Sequence, residues 1–350
     1  MTKAAELAKM GEVLTNSQIG GRRNIVINGA MQVAQRGTST ASISSGNNFV
    51  LDRTRFQLSN GGTWTMSQST TVPTGQGFSH SLKLDCTTAD TSLGSSDYLV
   101  VQQVIEGQDV QQFAFGTSDA KSVTVSFWIR SNKTGTYTLE VQQQNSSSGF
   151  YQNAKTFTIS SANTWEKKEI TFVGNTSQNI INSNAVGFFV SIWLGTGTSR
   201  TSGTFTNGTW HNTTANRVSS SNVNLADSTD NELYLTGLQL EVGQATPFEH
   251  LSYGETLALC QRYYSINNQR GVDGYTTTSV NIISNMSYTV TMRVTPTVLQ
   301  VGSIVASSNT SASTFSVASF TNENSSALFV EATGSARTYL YRPVQFDSEL

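Results

Sequence analysis

The sequence predicts a mainly β protein: a jelly-roll β-sandwich followed by a smaller β-rich C-terminal domain, with a short helix at the N-terminus. Three observations carry this. Only 13% of the 350 residues are charged, and Ser, Thr, Asn, Gln and Gly fill the space that Lys and Glu take in helical proteins. Thr suits strands, while Asn, Ser and Gly suit the turns between them. The 17 Phe, 11 Tyr and 5 Trp recur in alternating apolar/polar runs, unlike the aromatic-poor composition of disordered chains.

The same composition excludes several classes. A formal charge of −2 leaves no basic stripe for nucleic acid, and no apolar run reaches the length of a membrane-spanning helix. The first residues lack the apolar stretch of a secretion signal, so synthesis in a reducing cytoplasm is expected. Cys86 and Cys260 are too few and too far apart for a disulfide framework and read as buried thiols.

Four segments follow in order. Residues 1–23 are predicted as an N-terminal helix and linker, with Leu7, Met10 and Leu14 on an apolar stripe that could attach to a partner. Residues 24–250 are predicted as the jelly roll. It opens with a strand at Ile25 and Ile27 and an Asn28-Gly29 turn, and continues with strands at 49–58, 63–69, 81–86, 98–105, 122–130, 136–144, 164–173 and 185–194. Its last strand has Leu233 and Leu235 in one frame and Leu238, Leu240 and Val242 in the other, which requires a one-residue bulge at Gly237. Residues 251–264 read as a linking helix, with Ser252 as cap and Glu255 three positions on. Residues 265–350 return to strands, among them an alternating run Tyr288, Val290, Met292 and Val294 before Pro296.

Two strands can be read by face. Val123, Val125, Phe127 and Ile129 oppose Trp128 and Arg130 by parity, and Phe188, Val190, Ile192 and Leu194 oppose Phe189 and Trp193. A flat ring on an outer sheet face beside polar groups can stack on a sugar while its neighbours hydrogen-bond the hydroxyls. Trp128, Arg130, Phe189 and Trp193 are therefore glycan-binding candidates, together with Trp210 in the Gly/Thr/Ser/Asn-rich stretch 195–230. The competing expectation is that loops or a neighbouring subunit cover these rings and that Trp210 pins its own loop.

Catalytic chemistry is sparse. His80, His211 and His250 are dispersed, with no partner at metal-ligand spacing, and no nucleophile elbow, phosphate loop or dinucleotide fingerprint occurs. Acids such as Asp85, Asp97, Asp109 and Glu140 cannot be paired from sequence into the two carboxylates of a glycosidase.

The stretches NIVINGAMQVAQRGTS (24–39), LTGLQLEVGQATPFEHLSYGETLALCQRYY (235–264) and VTMRVTPTV (290–298) resemble a recurring set in phage virion proteins of the tail-fibre or receptor-binding kind. The first of these, with a later strand of the LTGLQLE type, also resembles carbohydrate-binding jelly rolls whose first and last strands lie side by side around a structural calcium. Here Ala30 and Gly237 stand where acids are usual in those modules, so no cofactor is expected. The resemblance implies a non-catalytic virion protein of the tail, homotrimeric, attached to other virion proteins through residues 1–20 and contacting host polysaccharide. An adaptor or capsid decoration that binds only virion proteins is the alternative, and a depolymerising tailspike is a third reading.

Overall fold

The computed structural model describes residues 3–4, 22–147, 149–276, 280–300, 305–306, 311–317, 325–333 and 336–350. The chain divides into two compact units, Met1–Leu251 and Ser252–Leu350. Of the predicted N-terminal helix only Lys3 and Ala4 are described, both helical, and Leu7, Met10 and Leu14 lie outside the described residues.

The first unit contains β1 (Ser39–Phe49), β2 (Thr54–Ser69), β3 (Ser81–Thr88), β4 (Tyr98–Glu106), β5 (Val123–Ser131), β6 (Gly135–Gln144), β7 (Phe150–Ile159), β8 (Glu166–Phe172), β9 (Val186–Thr196) and β10 (Glu232–Val242). They form one antiparallel path in the order β7-β6-β9-β4-β2-β3-β10-β5-β8, with β1 along the other edge of β2. The path folds into two layers because β2 serves both. Thr54–Ser59 pairs with β4, and Thr63–Ser69 pairs with β3. Between them Asn60 (φ 52°) and Gly62 (φ 77°) bend the strand through the left-handed region. This is a jelly-roll sandwich.

The inner faces meet in one apolar core. Val123, Val125, Phe127 and Ile129 from β5 and Leu233, Leu235, Leu238 and Leu240 from β10 face Leu139 and Val141 from β6 and Phe188, Val190 and Ile192 from β9, all of them buried. Phe127 reaches across to Phe157 of β7 at 5.4 Å between ring centres. The predicted parity of both readable strands is the observed one. Cys86 and Cys260 are buried, and burial pushes the Cys86 thiol up to about 11, which makes it unreactive.

The bulge predicted at Gly237 is present as a register shift between Thr236 and Gln239 on the β5 side of β10. Gly237 has φ +63°, and a Cβ there would lie 2.6 Å from Phe78 Cζ, so both backbone and packing require glycine. On its other edge β10 pairs with β3 only as far as Leu235. Residues 24–29 take over from there. Ile25 N–H donates to Leu240 O (3.0 Å), Leu238 N–H donates to Gly29 O (3.0 Å), and the Asn24 amide donates to Leu238 O (3.1 Å) while accepting from Leu240 N–H (3.1 Å).

The strand expected at Ile25 and Ile27 is not formed, while the turn expected at Asn28-Gly29 is present, with Asn28 (φ 60°) and Met31 (φ 58°) in the left-handed region. Side chains hold it instead. The Asn28 amide donates to Val33 O and Asp52 O, both at 2.9 Å, and its oxygen accepts from the Gln32 and Val33 N–H groups. The predicted strands at 49–58 and 63–69 are parts of one long β2 after a turn at 50–53, and β1 and β7 are strands the sequence did not announce.

In the second unit α1 (Tyr253–Gln261) begins with the predicted capping box: the Ser252 N–H donates to Glu255 (3.0 Å) and the Glu255 N–H donates to Ser252 Oγ (3.3 Å). β11 (Tyr264–Thr276) starts where the helix was expected to run on. Two small antiparallel sheets follow. One joins β11, β13 (Thr297–Gln300) and β14 (Val305–Ala306) through β17 (Ala336–Asp347). The other has the order β12 (Val280–Ser287), β16 (Ser325–Thr333), β15 (Ser311–Val317). The alternating run Tyr288–Val294 is not a strand. Arg293 is instead fixed by its N–H to Arg262 O (2.8 Å) and by its guanidinium to Ser348 O (2.7 Å) and Glu349 O (3.0 Å).

Replacing Asn24 by alanine leaves Leu240 N–H and Leu238 O unpaired inside the protein and is expected to cost about 1–3 kcal/mol of stability. Gly254→Ala, where an added Cβ meets nothing within 4 Å, is the neutral control. Thermal melts check this, and an Asn24→Ala melting temperature equal to that of the wild type contradicts it.

Candidate functional site

The two layers present their outer faces differently. On the layer β7-β6-β9-β4, the outer parity of β9 and β6 carries Phe189, Ser191, Trp193, Glu140 and Gln142. The segment following β9 folds down over this face. Gln152 of β7 forms a two-way backbone bridge with His211, and Thr136 pairs with Asn222. Arg217 donates Nε and Nη2 to the fully buried Glu140 at 2.8 and 2.7 Å, a bidentate pair. Burial pulls the Arg217 guanidinium down, but the charge and bonds of Glu140 outweigh it and hold its pKa above the usual arginine value. His211 is held below the ordinary histidine value by burial.

Trp193 lies under this cover. It is 2% exposed, donates its indole N–H to Glu140 Oε2 (3.1 Å), and sits between the guanidinium groups of Arg200 (5.7 Å) and Arg217 (5.1 Å). It is therefore not an open platform, and the expectation for this residue is corrected. Trp210 is corrected too: its ring packs edge-on to Phe115 at 5.5 Å against the core and its N–H donates to Val173 O (2.8 Å), so it pins the loop. Phe189 stays half-buried, with Phe150 at 6.2 Å and the Arg55 guanidinium at 5.8 Å. Arg55 in turn is bonded to Gln102, and Gln102 to Ser191.

The outer face of the layer β3-β10-β5-β8 is covered at one end, where Thr124, Ser126, Gln239 and Glu241 are buried and Gln239 donates to Thr246 O (3.3 Å) and accepts from Glu249 N–H (2.9 Å); its other end, around Trp128 and Arg130, is partly exposed. Its register sets Trp128 between Thr236 of β10 and Lys167 of β8. Arg130 stands opposite Tyr234, and Tyr234 opposite Lys83 of β3. One step beyond the last β5–β8 pair, Trp165 is level with Arg130 and meets Tyr234 edge-on at 6.3 Å. Trp165, Arg130, Tyr234 and Lys83 thus form a row across four strands. Arg130 lies over the Tyr234 ring at 4.8 Å and Lys83 at 5.7 Å. Sequence reading named Trp128 and Arg130 and missed Trp165, Tyr234 and Lys83.

Of the five tryptophans, Trp64, Trp193 and Trp210 donate their indole N–H within the protein. Trp128 and Trp165 have no acceptor among the described residues, and both are half-exposed on this one face. The charged groups between them are fixed. Lys83 bridges Asp85 (3.2 Å) and Glu232 (3.1 Å), and Glu232 also receives Arg130 (3.3 Å) and the Tyr234 hydroxyl (3.0 Å). Burial raises the Glu232 carboxyl, but bonds from Lys83 and Tyr234 and the charges of Lys83 and Arg130 outweigh it and hold the group below the usual carboxylate range. Burial likewise lowers Lys83, and its bonds to Glu232 and Asp85 outweigh that and raise it. Among the described residues no cluster of three His, Cys, Asp or Glu side chains is placed to hold a metal.

No family model and no curated protein matches the chain. Solved structures do. The enzymatically active domain of tailspike protein 4 of bacteriophage CBA120 aligns over 63% of this chain and 21% of that one, at 12% identity and a TM-score of 0.33. A xylan-binding domain of Paenibacillus barcinonensis aligns over 62% and 98%, at 12% identity and TM-score 0.30. A family 61 carbohydrate-binding module solved with β-1,4-galactotriose aligns over 63% and 100%, at 9% identity and TM-score 0.29. Likenesses this distant leave the chemistry of either face to its own residues.

Two outcomes follow. Phe replacement of Trp128 and Trp165 is expected to remove most of the iodide-quenchable tryptophan fluorescence, whereas Trp193 contributes a shielded component; strong quenching that survives both replacements contradicts the assignment of faces. The Glu232 pairing carries a definite pH sign. Its folded pKa lies below the unfolded one, so it stabilises the fold above about pH 4.3 and is lost as pH falls through the lower folded value. The gap in melting temperature between wild type and Glu232→Gln should therefore be open at pH 7 and close in stronger acid.

Proposed function

We propose that this chain is a non-catalytic component of a phage particle whose jelly roll holds host-surface glycan on the partly exposed end of the β3-β10-β5-β8 outer face, around Trp128 and Trp165. One observation carries the reading: Trp128 and Trp165 are half-exposed on the same face, each with an indole N–H that no group among the described residues accepts. A ring face and a free donor at its edge are what a pyranose needs for stacking and for one directed hydroxyl bond. Arg130, two residues along β5 from Trp128, lies over the Tyr234 ring and is held by Asn163 and Glu232. The virion setting rests on the wording of residues 24–39, 235–264 and 290–298, and attachment through residues 1–20 and a trimeric state belong to the same proposal.

The acids favour binding over hydrolysis. Asp85 and Glu232 are register partners on this face, but Lys83 lies between them, and Glu232 is shifted away from the raised pKa a general acid uses.

Binding of the purified chain to host envelope polysaccharide tests this. The double variant Trp128→Ala, Trp165→Ala is expected to lose about tenfold or more in affinity, from stacking worth on the order of 1 kcal/mol per ring. Trp210→Phe should bind as the wild type does. Unchanged binding in the double variant overturns the assignment of this face. Failure of antibody against it to block phage adsorption favours an adaptor role instead.

A further inference from the structure

On the reading that this face binds glycan, we infer that its ligand is an uncharged polysaccharide. The argument is the disposition of charge. The face carries the cations Lys83, Arg130 and Lys167, and each has a carboxylate partner on the same face: Asp85 and Glu232 for Lys83, Glu232 for Arg130, and Glu169 at 2.6 Å for Lys167. At the start of β8, Lys168 is likewise closed on Glu166 at 2.6 Å. Recognition of a uronate, phosphate or sulfate calls for a cation with open donors, best a guanidinium that can offer two N–H groups in parallel. Arg130 already has three of its five N–H donors engaged, both nitrogens of its Nε–Nη2 edge among them. Its Nε donates to Asn163 O (3.0 Å), Nη2 to Asn163 Oδ1 (3.3 Å) and Nη1 to Glu232 Oε1 (3.3 Å).

An anionic polymer would therefore meet three carboxylates as well as three cations. Each cation it met would already have its charge matched by a carboxylate at 2.6–3.3 Å, so the anion would gain attraction and repulsion together. What the face does leave open is neutral: two indole rings and two single N–H donors, suited to C–H faces and hydroxyl oxygens. Around the rings the three cations are matched by three carboxylates, so the charges of this end sum to zero.

The full chain is to be applied to an array of bacterial polysaccharides with neutral repeats and with uronate- or phosphate-bearing repeats, scoring only signals lost in the Trp128→Ala, Trp165→Ala variant. The expected result is Trp-dependent signal on neutral polymers, changing less than about twofold between low and high salt because no exposed charge pair crosses the interface. A folded Asp85→Asn, Glu232→Gln protein, with Lys83 and Arg130 unpaired, should gain signal on acidic polymers. Trp-dependent binding that is equal or stronger on acidic polymers, or that collapses in salt, overturns the inference of an uncharged ligand while leaving glycan binding intact. Absence of any Trp-dependent signal overturns both.

Discussion

The first unit depends on how the edge of β10 is completed beyond Leu235. A bulge at Gly237 lets Leu233 and Leu235 on one side and Leu238 and Leu240 on the other share the core face, but β3 does not extend far enough to pair the second half. Leu238 and Leu240 would be left with unmet backbone groups beside a buried core, which is costly. The side chain of Asn24 meets two of them by copying the donor and acceptor of a peptide unit. A Cβ on Gly29 would fall 2.0 Å from Leu238 O, so the approach also requires the glycine. The same segment then secures the turn before β2 through Asn28 and Asp52. A bond network therefore ties residue 24 to residue 249, where Glu249 accepts the Asn24 N–H at 2.7 Å, and closes the unit across nearly its full length.

This explains why the fold was legible in some stretches and not in others. β5, β9 and β10 face a core on one side only, so burial writes a period of two into their sequences. β1 reads STASISSGNNF and buries only Ile43, and β7 is half polar at the margin of its layer, so neither has a periodic signal to give. The opposite error occurred at Ile25 and Ile27. Ile25 and Ile27 alternate and are buried, but what holds them is the amide chemistry of Asn24 and Asn28, which hydrophobic periodicity does not report. Run 288–294 misled in the same way, its alternation resting on residues fixed through the Arg293 guanidinium.

For the candidate site, parity was legible and exposure was not. Trp128 and Trp193 occupy equivalent places on their strands, each on the face away from the aliphatic core. What separates them is a segment of Gly, Thr, Ser and Asn whose path follows from long-range bonds, among them Arg217 to Glu140 and His211 to Gln152. Trp165 could have been found. In TWEKKEITF it shares parity with Lys167 and Glu169, whereas Ile170 and Phe172 pack inward at alternate or terminal positions of the other set. A tryptophan in the charged register of an amphipathic strand is a ring the strand does not bury.

The two outer faces are therefore opposite solutions to one problem, an aromatic row beside ionisable groups on a sheet. On the β6-β9 side the Glu140 carboxylate is fully buried, and once taken out of water it needs the bidentate Arg217 to be tolerable. That requirement fixes the cover in place over Trp193, because releasing the loop would strand Glu140. At the Trp128–Lys83 end of the β5-β10 side, Asp85, Glu232 and Glu169 stay within reach of solvent and are matched by cations, whereas Glu241 at the other end is buried under the segment that follows β10. Charge placement decides which tryptophans are open. Of the two rings left partly exposed, Trp165 is held edge-on against Tyr234, and Tyr234 is in turn held beneath Arg130 and by its hydroxyl bond to Glu232.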